Sequence, residues 1–247
     1  GGTFTMGDDN ERMAAKVSPY YIDQFEVTAA QVAYYLNATH GKFACDQFPP
    51  STATCFLVPL KNVGPGNGHF VTKRANHFVV APGYEHHPFV YATHSAAAEY
   101  CQWAGKSLAT EARWEFAARH DPSTNKDLVF PWGDTFDPNR ESCGDCTSSL
   151  NGNNEPLAVG SYDGTGGHGD GRSPWGVFDM AGNADEPVLG CENDYHPCDG
   201  PCVDPPGEPA RKGQPCGITS RGGGSLQSHL TTSYRASNSE TGIRCAR

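Results

Sequence analysis

Between residues 87 and 119 the chain reads HPFVYATHSAAAEYCQWAGKSLATEARWEFAAR, and here helical period, caps and a breaker agree over several turns. Ala97, Tyr100, Cys101 and Ala104 recur at the spacing of one helix face. Thr93 or Ser95 is placed to cap that helix, since a hydroxyl at this point accepts a bond from an unpaired first-turn amide. Gly105 supplies the left-handed residue on which helices commonly end. Thr110 repeats the capping arrangement, and Trp114, Ala117 and Ala118 give a second helix its apolar stripe. The stretch predicts two amphipathic helices separated by a short turn and buried in a core.

Elsewhere the chain is less regular. Its 247 residues include 29 glycines and 19 prolines, and 19% are charged. That composition predicts a loop-rich α+β protein with less helix and strand than average. The length fits one large domain or two small ones. A net charge of −10 offers no electrostatic support for binding nucleic acid or an anionic membrane. No apolar run approaches the ~20 residues needed to cross a bilayer, so no transmembrane segment is expected. No signal peptide is visible, and the abrupt start at Gly1 suggests that a leader is removed or omitted.

In order, Phe4 and Met6 alternate in an opening strand, and Val17 to Phe25 reads as another. Thr28 is placed to cap a helix that stops near Gly41. Asn37-Ala38-Thr39 fits a glycosylation triplet. Residues 42 to 86 form an irregular excursion in which Cys45 and Cys55 could close a short loop. Pro131-Trp132-Gly133-Asp134 reads as a turn. The DGTGGHGDG run at 163–171 lacks the Gly-Lys-Ser/Thr ending and the succeeding helix of a phosphate loop, so it is not read as one.

Ten cysteines lie at 45, 55, 101, 143, 146, 191, 198, 202, 216 and 245. An even set of this size reads as disulfides and points to an extracellular, cell-surface or periplasmic location. Zinc is the rival: Cys143, Cys146, Cys191, His196, Cys198 and Cys202 are enough ligands for a tetrahedral site. Zinc knuckles use two compact ligand pairs, however, and this segment holds a single CxxC, which favours disulfides.

The wording of these segments resembles the formylglycine-generating (sulfatase-modifying factor) family. Tyr100, Cys101, Trp103, Gly105, Lys106, Leu108, Thr110, Glu111, Ala112, Trp114 and Glu115 match its signature, while His94, Ser107, Ala109 and Arg113 depart from it. Arg113 replaces the acid that would complete a capping box with Thr110. A second block matches through Gly176, Asp179, Met180, Gly182, Asn183 and Glu186, with Asp185 and Pro187 where the family has tryptophans. The opening, the Glu26-Val27-Thr28 triplet and the terminal RGGGS and GIRCA runs are similar too. The resemblance spans nearly the whole chain and implies one domain, 1–247, with a C-type-lectin-like mixed α+β fold.

What it implies for chemistry is divided. Active members hold copper through two cysteines shortly after the RGGS block, and thiolates suit soft Cu(I). The matching positions here read Gln227 and Thr232, and no cysteine stands between Cys216 and Cys245. A branch of the family uses iron on a His-x3-His-x-Glu arrangement, which is absent, and His229 is the one histidine near the ancestral position. The resemblance also implies a disulfide between Cys101 and Cys245, and structural calcium on Gly182, Asn183 and Glu186. Tyr20, Tyr21, Trp132, Trp175 and Tyr234 are candidates to line a groove. The expectation is a pseudoenzyme: an exported binding or structural module for a protein, peptide or glycan. The alternatives are a metal-dependent oxidoreductase with a rebuilt site and an assembly subunit of a surface structure.

Overall fold

Apolar alternation sets the first strands. In the computed structural model, which describes residues 1–7, 12–46, 54–58, 69–141, 156–190, 202–205, 219–223 and 241–247, Phe4 and Met6 are buried from β1 (Gly2–Gly7). Met13, Ala15 and Val17 are buried from β2 (Arg12–Val17), which pairs antiparallel with β1, Gly2 opposite Val17. The expected strand from Val17 to Phe25 is corrected: regular strand ends at Val17, and residues 18 to 25 run irregularly. The reason is non-local. Tyr21, Asp23 and Val27 donate their amides to the carbonyls of Arg247, Cys245 and Ile243, so this segment is held by the far end of the chain.

Helix α1 (Ala29–Ala38) begins on a reciprocal capping box, with Gln31 N donating to Thr28 Oγ1 and Thr28 N donating to Gln31 Oε1. After Gly41, in the left-handed region at φ +78°, come β3 (Ala44–Cys45) and β4 (Phe56–Leu57), which run parallel beside the Cys45–Cys55 disulfide. The hairpin of β5 (Val71–Arg74) and β6 (His77–Val80) packs on α1. Asn37 fixes that packing: its Nδ2 donates to Phe78 O at 2.8 Å and its Oδ1 accepts from Phe78 N at 2.9 Å. The amide of the Asn-Ala-Thr triplet is therefore used inside the fold.

Helix α2 (His94–Trp103) is capped by Thr93 and stops before Gly105 at φ +72°. After β7 (Ser107–Leu108), α3 (Glu111–Arg119) starts on Thr110, whose Oγ1 accepts from Arg113 N without the reciprocal half of a box. β8 (His120–Asp121) and β9 (Lys126–Asp127) close a small hairpin. The 163–171 run is a turn closed by an Asp163–Asp170 bridge, with no helix after it among the described residues. The remaining strands of the described residues are β10 (Glu186–Val188), β11 (Cys202–Val203), β12 (Thr219–Arg221) and β13 (Cys245–Ala246). β11 extends the first sheet in parallel with β2, β12 pairs with β10, and β13 pairs with β7.

Two faces of core meet at the central helices. α1 and α2 bury Val32, Leu36, Ala96, Ala97 and Cys101 against Phe56, Phe70, Phe89 and Ile243. α3 turns Phe116 toward the first sheet and Trp114 toward Met180 and Val188. Cys101 is bonded to Cys245 across 144 residues, so α2 and β13 are joined covalently as well as packed. Closing so long a loop constrains the unfolded chain, and Cys101→Ala with Cys245→Ala should lower stability by about 3–5 kcal/mol. A denaturant titration of the double variant checks this; an unchanged midpoint would show that packing alone holds the two segments.

Candidate functional site

The segment from Gly182 to Glu186 is clasped on both sides by backbone. Gly182 N donates to Gly222 O at 2.6 Å, and Gly242 N donates to Asp185 O at 2.6 Å. The approach is close enough to require glycine: a Cβ on Gly223 would lie 2.4 Å from Asp185 N, and one on Gly242 would lie 3.1 Å from Asp185 O. This turn feeds β10, and the chain that leaves Gly223 and returns at Thr241 starts and ends on it.

Beneath the turn lies a buried ionic network. Glu186, on β10, receives Nε and Nη2 of Arg244 at 2.6–2.9 Å, and both side chains are inaccessible. Trp114 Nε1 donates to the same carboxylate at 2.6 Å. Arg244 also donates to the carbonyls of Asp23 and Phe178, which leaves its fork well satisfied. On the other side of Trp114, the guanidinium of Arg221 sits 5.3 Å from the ring centroid and pairs with Glu111 at 3.0 Å and Glu115 at 2.5 Å. Glu115 further accepts from Gly7 N and Arg119. Two arginines, three glutamates and one indole thus tie α3 to β10, β12 and the C-terminal strand.

The sulfatase-modifying factor enzyme 1-like domain matches residues 1–247. The chain belongs to that family. Among relatives, the formylglycine-generating enzyme of Bos taurus is 24% identical over 99% of this chain and 72% of its own length. That of Streptomyces coelicolor is 29% identical over 56% of this chain, which spans only 50% of the relative. A 53-residue stretch, 22% of this chain, is 49% identical to the inactive C-alpha-formylglycine-generating enzyme 2 of Bos taurus. Among solved structures, PvdO from Pseudomonas aeruginosa superposes with a TM-score of 0.64 at 22% identity, covering 100% of this chain and 91% of that one. The fold is that of the sulfatase-modifying factor family, with α1, α2 and α3 set among short strands and long loops.

Within that fold the expected site residues are distributed as follows. Gln227, His229, Thr232 and Tyr234 lie outside the described residues, as do Cys143, Cys146, Cys191, His196, Cys198 and Cys216. Cys202 is disulfide-bonded, which removes it from the zinc set. Tyr20, Tyr21 and Trp175 come together with Phe116 around a cavity of about 260 Å³, whereas Trp132 stacks on Phe130 elsewhere. His94, where the family has tryptophan, caps the approach to β10 through a 3.0 Å contact of its Nε2 with Val188 O.

Gly182, Asn183 and Glu186 share the turn, yet they do not fit a calcium ion as a set. A hard cation needs six to eight oxygens. Both oxygens of Glu186 are engaged by Arg244, and Asn183 is engaged twice, donating to Glu26 Oε2 at 2.6 Å and accepting from Leu157 N at 2.9 Å. The positive charge expected from calcium is supplied here by a guanidinium. Among the described residues, no group of three or more His, Cys, Asp or Glu side chains is arranged to hold a metal. The sequence carries one sign of this pairing, an arginine set between Ile243 and Cys245 in the otherwise apolar stretch from Gly242 to Ala246.

Acid is in excess around Arg244. Burial, together with the nearby Asp179 and Glu186 carboxylates, holds Glu26 well above the usual carboxylate range. Burial also pushes Asp179 up to about 6, against the opposing pull of its 2.7 Å bond from Gly160 N and of Arg244. From about pH 4, where an unfolded aspartate ionises, to about pH 6, the folded chain keeps a proton that the unfolded chain has released. Stability should therefore fall as pH rises through this window. Asp179→Asn, tolerated at its φ of +59°, should flatten the fall and raise the melting temperature near neutral pH. Melting curves across the acid range check it. Glu186→Gln should cost about 1–3 kcal/mol by removing the bidentate partner of Arg244, with Glu26 and Asp179 left to supply its counter-charge. The wild-type melting temperature should be the same in calcium and in chelator; a drop in chelator would restore the ion to this turn.

Proposed function

We propose that this chain is an exported, non-catalytic member of the sulfatase-modifying factor family that works as a binding or structural module for a protein, peptide or glycan partner. The observation that carries the reading is the stretch from 217 to 244, which contains no cysteine. An amide and a hydroxyl at Gln227 and Thr232 cannot replace two thiolates as ligands for Cu(I), so the redox step of active members has no metal to run on. Export is supported by the Cys45–Cys55 and Cys101–Cys245 bonds, which persist in oxidising compartments. The likeness to a relative named as inactive points the same way over its short span. The retained scaffold then serves to present surfaces, because activity resides in a site and not in the fold that carries it.

The test is direct. Incubated with a sulfatase-type cysteine peptide, oxygen and reductant, with or without copper, the protein should give no aldehyde by mass spectrometry. Aldehyde accumulating beyond the protein concentration would overturn the reading and make the chain an oxidoreductase.

A further inference from the structure

On the outer side of α1 and α2, two aromatic rings are exposed side by side. Tyr34 is 68% exposed and Trp103 is 44% exposed, with ring centroids 6.0 Å apart. Trp103 is held from below, edge-on to the buried Tyr35 at 5.2 Å and 5.9 Å from Tyr100, so its outer surface is presented on a rigid base. Glu99 stands one helical turn from Trp103 and pairs with Lys42 at 3.3 Å. Polar groups therefore flank this end of the pair.

At the other end, Gln31 lies one turn before Tyr34 on α1, while Tyr100 of α2 and Ala104, which caps it, lie on either side of Trp103 in the chain. All three line a cavity of about 480 Å³. Its other walls carry Asp23, Thr28, His86 and Lys106, and Lys106 is paired with Asp23. The chain thus places an aromatic platform next to a polar hollow rich in both donors and acceptors.

Three ligand classes can be weighed against this chemistry. An anion would meet Asp23, Glu99 and a chain of net charge −10, with the nearby lysines already paired. A cation would find Asp23 and Glu99 already neutralised by those same two lysines. A purely apolar segment would cover the rings but strand the ion pairs on either side. A neutral pyranose offers both parts at once: an apolar C–H face to lie on an indole or phenol ring, and an edge of hydroxyls for carboxylate, amide and ammonium. We infer that the Tyr34–Trp103 platform and the cavity beside it bind a neutral oligosaccharide, one ring stacked on Trp103 and its neighbour reaching into the cavity. This site rests on the binding-module reading above and names the partner class.

The experiment titrates the full chain with neutral oligomers of glucose, mannose, galactose and N-acetylglucosamine, to about 10 mM, by calorimetry and tryptophan fluorescence. At least one series should bind saturably. Tyr34→Ala should weaken it about tenfold with an unchanged melting temperature, since Tyr34 is exposed, and Trp103→Ala should abolish it. Because Trp103→Ala also removes packing on Tyr35, the Tyr34→Ala result decides where folding is impaired. No saturable binding to any series, binding undiminished by Tyr34→Ala, or binding of anionic sugars or peptides alone at these rings would overturn the site. Each of those outcomes leaves the aldehyde assay unaffected, so failure here and failure of the non-catalytic reading are told apart.

Discussion

Arg244 and Glu186 form a buried ion pair on which four segments converge. Taking two charges out of water costs several kcal/mol for each ion, and the cost is offset only where geometry is good and the remaining donors are satisfied. Here the guanidinium reaches both carboxylate oxygens and two backbone carbonyls, while Trp114 completes the carboxylate. The pair fixes β10 against the C-terminal strand, the carbonyl of Asp23 against both, and Phe178 behind them. Arg221 repeats the device on the far face of Trp114, with Glu111 and Glu115. A loop-rich chain with few long strands has little ladder hydrogen bonding to set the relative positions of its parts. Charged side chains with strict directional demands take over that role.

What is legible in the sequence is local. The caps at Thr28, Thr93 and Thr110, the stops before Gly41 and Gly105 and the alternation of Phe4 and Met6 each depend on residues within a turn or two. They stand where spacing places them. The segment after Val17 defeats such reading because its partners, residues 243 to 247, lie more than two hundred positions away and no periodicity reports them. Asn37 illustrates the same limit in another form: a triplet motif is a statement about three neighbours, and Phe78, which settles the fate of that amide, is not among them.

The candidate site is legible in its residues and not in its pairings. Gly182, Asn183 and Glu186 do sit together on one turn, but their hydrogen bonds go to Glu26, Leu157, Gly222 and Arg244, all distant in sequence. Charge type alone cannot tell a carboxylate that awaits a cation from one that already has it. The aromatic surface of Tyr34 and Trp103 is hidden for a different reason. Each residue reads as part of an amphipathic helix, and only the crossing of α1 and α2 shows that the two rings remain outside.

The burial of residues 241 to 246 bears on when this domain can fold. Ile243, Arg244, Cys245 and Ala246 are each 2% exposed or less, and they fill the space between α2, β7, β10 and the segment before α1. Of the domain's core-forming segments they leave the ribosome last. Until they arrive, Glu186 lacks the guanidinium of Arg244, Cys101 is a thiol without its partner, and the amides of Tyr21, Asp23 and Val27 lack the carbonyls that receive them. These particular contacts can form only once the last residues of the domain have been made, whereas the β1–β2 pair and the hairpin on α1 need none of them.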